Sequence, residues 1–248
     1  MLTTGLALFS GRASDNRPHR HYAVQLALSE AREVKIADAD GRIHAGGFVG
    51  CAAGTMHRLE PTEEQIILVY LEPTSTLGAA AQKRTAGTFI LEKSPCPDLV
   101  RALRLAIADG MPNAAEALLH GYFGNQDYSD ERRPDVRLAA LIDSAAFRGV
   151  PPTLGQAADQ IALSPSRFSH LFSAEMGIAY SAFRKWRKLL VTLESVANGT
   201  QLTAAAHDGG FADSAHFSRT FKDTFGLTPT EALFRMKFSL PLSAAEPD

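Results

Sequence analysis

The most regular apolar pattern of the chain lies near its C-terminal end. Phe217, Phe221 and Phe225 recur every fourth residue, so they share one face of a predicted helix. Asp213 precedes that helix and has a side chain suited to an N-cap. The Ala-rich segment 202–209 comes before it and is also predicted to be helical. The pattern therefore predicts two short helices joined by a turn.

A weaker copy of this pattern occurs earlier in the chain, where segment 163–178 aligns with segment 212–227. The matched pairs are Phe168 and Phe217, Ser169 and Ser218, Phe172 and Phe221, Gly177 and Gly226, and, upstream at the same shift, Ala157 and Ala206. Two copies are too few for a solenoid, which needs three or more units. They indicate instead one small helix-turn-helix unit that occurs twice.

The face opposite each phenylalanine stripe is polar. It carries Ser166, Ser169 and His170 in the first copy, and Ser214, Ser218, Arg219 and Lys222 in the second. A helix that buries phenylalanines and presents small hydrogen-bonding side chains is typical of one that enters the major groove of DNA.

A third amphipathic segment, 179–199, joins the two copies. About 20 helical residues span about 30 Å, and one turn of B-DNA is about 34 Å long. Such a connector can place two recognition helices in successive major grooves. Four basic residues near its start are predicted to reach phosphates: Arg184, Lys185, Arg187 and Lys188.

The C-terminal ~100 residues resemble the AraC/XylS family of bacterial transcription regulators. The resemblance is carried by "SPSRFSHLF" and by "GF-x-D-x-x-x-FSR-x-FK-x-x-FG-x-TP". It implies seven helices with two helix-turn-helix units, and base contacts by Ser166, Ser169, His170, Ser214, Ala215, Ser218 and Arg219. Arg167 and Lys222 on the same two helices, and Arg184 and Lys188 of the connector, are further expected DNA contacts. Gly209 stands where that family usually has a larger apolar residue, and we expect it to loosen the preceding helix by about 1 kcal/mol.

The N-terminal part has the short alternating pattern of β-strands. Segments 21–29 and 65–73 read as strands, and Asp40-Gly41 reads as the turn of a hairpin. From Pro97 onward the pattern becomes helical. We therefore predict an α+β chain with an N-terminal cupin-like β-barrel and trailing helices, followed by an all-α domain. The predicted boundaries are 1–124 for the first domain, 125–135 for a linker and 136–240 for the DNA-binding domain.

A second, weaker resemblance, to the small cupin-like sensor domains that precede such DNA-binding domains, is carried by "PHRHYAVQLALS", "AAGTMHRL" and "ILVYLEPTSTLG". In an extended strand His19, His21 and Gln25 lie on one face, and a cupin fold can bring His57 to the same place. Neutral imidazoles suit a divalent metal. The alternative is that these side chains line a polar ligand pocket or form structural hydrogen bonds.

Composition sets the outer limits. Apolar residues make up 45% and charged residues 21% of the 248 residues, which is normal for a globular chain and excludes a disordered one. The absence of a long apolar run and of a basic N-terminal region argues against a membrane span and a signal peptide, so we expect a cytoplasmic protein. The net charge of −2 does not indicate a nucleic-acid binder, so the case for DNA depends on the repeat.

The two cysteines, Cys51 and Cys96, have no metal-ligand or disulfide spacing. Cys96 is placed at a predicted helix N-terminus, which would lower the pKa of its thiol, although an ordinary surface residue is the simpler interpretation.

The pattern and both resemblances favour a sequence-specific transcriptional regulator that is not an enzyme. The expected partners are double-stranded DNA, a small-molecule effector, a second copy of the chain in a homodimer, and RNA polymerase, with no membrane. The alternative is a metal-dependent cupin enzyme, an oxidoreductase or isomerase, fused to a DNA-binding module.

Overall fold

A computed structural model describes residues 5–13, 17–124, 135–226 and 228–231. The chain divides into two compact units. One contains the residues up to Gln126 together with those from Phe225 onward, and the other runs from Asp127 to Thr224. Nearly all of the predicted linker lies outside the described residues, and the predicted domain boundaries stay a prediction.

The N-terminal unit contains two antiparallel sheets. Its strands are β1 (Leu6–Gly11), β2 (Val24–Leu28), β3 (Val34–Ala37), β4 (Ile43–Gly46), β5 (Phe48–Cys51), β6 (Arg58–Leu59), β7 (Ile66–Leu71) and β8 (Ile90–Glu92). The larger sheet has the order β1-β7-β2-β5-β8, and the smaller has the order β4-β3-β6. Within the described residues the two sheets do not join into one closed barrel.

Strand β7 lies between β1 and β2 and is buried along its whole length. Its six consecutive apolar residues therefore cover both faces of the sheet, which is why the segment reads as a continuous hydrophobic run. The predicted Asp40-Gly41 turn is confirmed between β3 and β4, where Gly41 has a φ of +78° that favours glycine.

Three helices follow or interrupt the strands: α1 (Thr76–Thr85), α2 (Pro97–Ala108) and α3 (Pro112–Phe123). The helical pattern predicted from Pro97 is confirmed by α2 and α3. The sequence reasoning missed α1, although Ser75 gave a signal for it. The Ser75 hydroxyl accepts a hydrogen bond from the Gly78 amide and caps the helix.

The C-terminal unit is helical in the described residues. Its helices are α4 (Val136–Asp143), α5 (Ala145–Arg148), α6 (Leu154–Gln160), α7 (Pro165–Met176), α8 (Tyr180–Ala197), α9 (Leu202–Asp208) and α10 (Ser214–Phe225). The predicted α+β class, the seven helices and the two helix-turn-helix units are therefore confirmed. Helix α8 is the predicted connector, and its 18 residues span about 27 Å.

Both recognition helices begin at the predicted caps. The Ser164 hydroxyl accepts from the Arg167 amide at 3.3 Å, and Pro165 occupies the first position of α7. The Asp213 carboxylate accepts from the His216 amide at 2.6 Å at the start of α10. These bonds satisfy amides that have no partner inside the helix.

The alignment of the two copies needs one correction. The shift that superposes α7 on α10 is one residue too long to superpose α6 on α9, because α6 begins at Leu154 and α9 begins at Leu202. The buried alanine pair of α6, Ala157 and Ala158, therefore corresponds to Ala205 and Ala206. The second turn contains one more residue than the first.

Gly209 ends α9 directly against α8, a close contact that the sequence analysis did not predict. A Cβ atom at this position would lie 1.9 Å from the Thr192 hydroxyl and 2.8 Å from the Lys188 carbonyl oxygen, both on α8. A glycine is needed because the end of α9 approaches the α8 backbone this closely. None of the described helices is both long and apolar enough to cross a membrane.

Candidate functional site

The predicted DNA-contacting residues of α7 and α10 lie on the outer faces of these helices. Exposed members are Ser166, Arg167 and His170 on α7, and Ala215, Arg219 and Lys222 on α10. Ser169, Ser214 and Ser218 are half-buried. The inner faces are closed by Phe168 and Phe172 in α7 and by Phe217 and Phe221 in α10. Each helix is thus held by its apolar side and presents its polar side to solvent.

The side chains on α10 differ in how much hydrogen-bonding capacity they keep. The Ser218 hydroxyl donates to the Ser214 carbonyl oxygen at 2.8 Å, so its proton is already used within the helix. Arg219 forms no ion pair of 4 Å or less with any described residue. The His216 amide, followed by the nearby Arg219 charge, lowers the pKa of the Asp213 carboxyl. Arg219 therefore keeps a free guanidinium edge.

A cleft of about 400 Å³ separates the two helix-turn-helix units. One wall is the basic face of α8, with Arg184, Lys185 and Lys188, and Ser169 and Thr220 contribute hydroxyls from α7 and α10. Among the described residues, no acidic side chain lines the cleft. Sequence reasoning found the three basic residues and Ser169 but missed Thr220, which joins them only when the C-terminal helices pack.

Arg184 and Lys188 are both partly held by the protein. The Arg184 Nε donates to the Pro151 carbonyl oxygen at 2.9 Å. The Lys188 ammonium lies 4.4 Å from the centre of the Phe211 ring, a cation–π distance. Burial, followed by the Arg184 charge, lowers the pKa of Lys188. These contacts fix the two cations at the floor of the cleft.

Arg187 does not belong to the basic face. Its side chain is only 4% exposed, and its neighbour Trp186 is also buried. The prediction that Arg187 reaches phosphates was therefore wrong. The signal was present in the sequence, because Arg187 follows Phe183 by four residues and therefore lies on the apolar face of α8.

The four side chains of the predicted N-terminal site come together. The rings of His19 and His57 lie 4.4 Å apart, and that of His21 lies 5.6 and 5.0 Å from them. One ligand atom from each ring falls within 4.8 Å of the others. The Gln25 Oε1 lies 2.9 Å from the His21 Nε2 and 3.2 Å from the His57 Nε2. All four side chains are buried.

The three histidines reach this place without being in one strand. Strand β2 begins only at Val24, so the strand alternation predicted for His19 and His21 was wrong. Instead, the amides and carbonyls of His19 and His57 exchange two hydrogen bonds of 2.9 Å and form an isolated bridge. That bridge brings together two segments that are far apart in the chain.

Burial keeps these rings neutral. Desolvation lowers the pKa of His21 to about 4, helped by the charge that His19 would carry. It also lowers the pKa of His19 and, well below the usual value, that of His57. Neutral imidazole is the form that ligates metals.

The cysteines are not activated. Cys96 is the N-cap residue of α2, as predicted, yet its thiol pKa is raised by burial and by the charge of Glu92. Cys51 is buried in β5, and desolvation raises its pKa to about 12. Both thiols therefore stay protonated at neutral pH, where the thiolate is the reactive form.

Comparison with protein families gives a match for the C-terminal unit. Residues 157–235 match a family described as a helix-turn-helix domain. The bifunctional transcriptional activator/DNA repair enzyme Ada of Escherichia coli is 37% identical over 121 residues, which are 47% of this chain and 34% of that protein. The virulence regulon transcriptional activator VirF of Yersinia enterocolitica is 26% identical over 149 residues, 58% of this chain and 52% of that protein.

A further relative is the arabinose operon regulatory protein of Escherichia coli, 32% identical over 79 residues, which are 32% of this chain and 27% of that protein. The matches to these three curated relatives thus span about half of their length or less. Among solved structures, ToxT from Vibrio cholerae matches 94% of this chain and 100% of its own, with a TM-score of 0.56 and 11% identity. That similarity shows a shared two-domain fold.

Proposed function

We propose that this chain, whose C-terminal region is a helix-turn-helix domain of the AraC type, is a sequence-specific DNA-binding transcriptional regulator. One observation carries the proposal. The two recognition helices, α7 and α10, bury phenylalanines at matching positions, and each has a polar outer face. A single helix of 18 residues joins the two units, which suits successive major grooves on one side of DNA.

The two recognition helices contribute base contacts and backbone contacts of different kinds. Arg219 can give two hydrogen bonds to one guanine, and His170 occupies the equivalent outward position on α7. Arg167 and Lys222, which are exposed on the same helices, bind phosphates. Ser166, Ser169, Ser214 and Ser218 are short and adjust the fit, while Ala215 leaves room for a base.

The basic cleft supports this assignment. In DNA that lies across both recognition helices, a stretch of backbone passes between the two major grooves. Arg184, Lys185 and Lys188 line the cleft between the two units, and no described acidic side chain competes for them there. Phosphate contacts of this kind give affinity and register without base preference.

In this proposal the N-terminal unit binds the effector and so acts as the sensor. A regulator of this kind acts on DNA in the cytoplasm, binds a small-molecule effector through this unit, self-associates as a homodimer and engages RNA polymerase. A ToxT structure described as bound to an unsaturated fatty acid supports the idea that this fold accepts a ligand.

The alternative is a metal-dependent enzyme attached to a DNA-binding module. A catalytic metal needs an open coordination position for substrate, whereas the side chains of the histidine cluster are at most 6% exposed. The name of Ada includes DNA repair, but the two thiols here have raised pKa values. Both observations favour regulation over catalysis.

The test is selection of double-stranded DNA from a random library by the full-length chain at physiological salt. We expect enrichment of a motif with two half-sites about 10 base pairs apart, bound more tightly than the unselected pool. A pool that binds as weakly after selection as before it would contradict the proposal.

A further inference from the structure

The hydrogen bonds among the described residues leave one ring of the histidine cluster, that of His19, incompletely satisfied. Each ring directs its Nδ1 at a main-chain carbonyl oxygen. The distances are 2.8 Å from His19 to Arg17, 2.8 Å from His21 to Ala23 and 2.9 Å from His57 to Thr55. A carbonyl oxygen only accepts hydrogen bonds, so we assign the ring proton to Nδ1 in all three histidines.

This tautomer leaves a lone pair on each Nε2. The His21 and His57 Nε2 atoms lie 2.9 and 3.2 Å from the Gln25 Oε1, which is a fourth acceptor. Four acceptor atoms, the three Nε2 atoms and the Gln25 Oε1, then face each other in a buried space. Their lone pairs repel each other unless a positive charge lies between them. If the Gln25 amide were reversed, its NH₂ group could donate to the Nε2 atoms of two rings, but the Nε2 of the third ring would still have no donor.

That third ring is His19. Its side chain is 4% exposed, and its Nε2 is buried without a hydrogen-bond partner in the described part of the chain. A buried acceptor without a donor costs free energy, and neither orientation of the Gln25 amide removes that cost. A single cation at the centre would satisfy His19 together with the other three groups.

We propose that His19, His21, His57 and Gln25 form a binding site for one divalent transition-metal ion such as Zn²⁺. Three imidazole nitrogens and one amide oxygen suit the borderline ions of the first transition row. Mg²⁺ and Ca²⁺ need oxygen ligands, mostly carboxylates, and the cluster of ligating side chains contains no acid. The carbonyl bonds at Nδ1 are the outer contacts that orient metal-bound histidines.

The position of the site gives the ion a structural effect. His19 and His57 belong to two segments bridged by main-chain hydrogen bonds, and Gln25 lies in β2, the middle strand of the larger sheet. An ion would tie these three segments together. It would therefore stabilise the N-terminal unit. The fraction of chains with an occupied site would then depend on how much metal is available.

The first experiment is titration of the chelator-treated full-length chain with Co²⁺ and Zn²⁺. We expect one ion per chain, visible Co²⁺ ligand-field absorption, a higher melting temperature with Zn²⁺, and no response to Mg²⁺. His19→Ala should weaken Zn²⁺ binding at least about 100-fold, since a direct ligand contributes more than the outer contacts do. His44→Ala is the matched control, because His44 lies in the same unit but binds Asp38, and it should bind as the parent does.

Gln25→Glu keeps the test decisive if His19→Ala fails to fold. A carboxylate next to the ion adds an attractive charge, so this variant should bind Zn²⁺ about tenfold more tightly. Absence of stoichiometric Co²⁺ or Zn²⁺ binding by the parent chain would overturn the site, as would unchanged affinity in folded His19→Ala. DNA selection with the same preparation is independent of this result, so a failed metal site and a failed regulator are distinguishable.

Discussion

The two helix-turn-helix units share their interiors and differ in their turns and outer faces. Phe168 and Phe217 are fully buried at equivalent positions of α7 and α10, whereas His170 and Arg219 project at the equivalent exposed positions. Packing restricts the inner positions because a core tolerates little change of volume. The outer positions are free to differ, so the two units are expected to read different half-sites.

The turns show a subtler difference. Leu163 and Phe211 each donate a main-chain hydrogen bond of 2.9 Å back into the preceding helix, to Ala158 and Ala206. The second unit then needs one more residue to reach its cap. It also ends α9 with Gly209 against α8, where the first unit has Ile161. A sequence repeat can thus conserve the helices and still alter how they are joined.

Loss of a core phenylalanine is the largest effect that the comparison predicts. Phe168→Ala and Phe217→Ala should each lower the free energy of unfolding by about 3–5 kcal/mol, because both side chains are fully buried. Trp186 is the single tryptophan and is buried in α8, so its fluorescence in urea follows this unit. Exposed Glu175→Ala is the control, and a large loss in only one phenylalanine variant would show that the interiors are not equivalent.

The turn glycine should respond next most strongly. Gly209→Ala would push a methyl group into the Lys188 carbonyl, and we expect a loss of about 1–3 kcal/mol by overpacking. Gly155→Ala in α6 is the matched control. That position has open space, so alanine should stabilise by about 0.5–1 kcal/mol. Urea unfolding measures both, and the same sign for the two variants would refute the close approach.

Base reading is tested on the outer faces. Arg219→Ala should weaken DNA binding by about 1–3 kcal/mol and relax preference at one base position, and His170→Ala should affect the other half-site. Binding to a panel of operator variants, with melting temperature as control, measures this. An equal loss on all operators would mean that Arg219 only stabilises the helix, as an exposed pair with Asp223 would, at a few tenths of a kcal/mol.

A phosphate contact should give the smallest and least selective effect. Lys222→Ala should weaken binding to all sequences alike and lower the slope of log affinity against log salt by about one. Titration of one operator and one random duplex at several salt concentrations tests this. A slope equal to that of the parent chain would remove Lys222 from the interface.

The sequence alone determined the local features of the helical unit. Periodic phenylalanines and the caps Ser164 and Asp213 act within a few residues of where they stand. The helices they specify were therefore predictable within one or two residues. The apolar run of β7 and the hairpin turn at Gly41 were predictable for the same reason.

The tertiary structure decided what depends on distant segments. His19 and His57 meet through a bridge between distant parts of the chain, not through strand alternation. Glu92 and burial raise the pKa of Cys96 against the expectation from its helix position. Gly209 is required by the close approach of α8, a helix that comes well before it in the chain. Side-chain propensity acts along the chain, whereas close approach, desolvation and charge act through space, so only the folded chain reveals them.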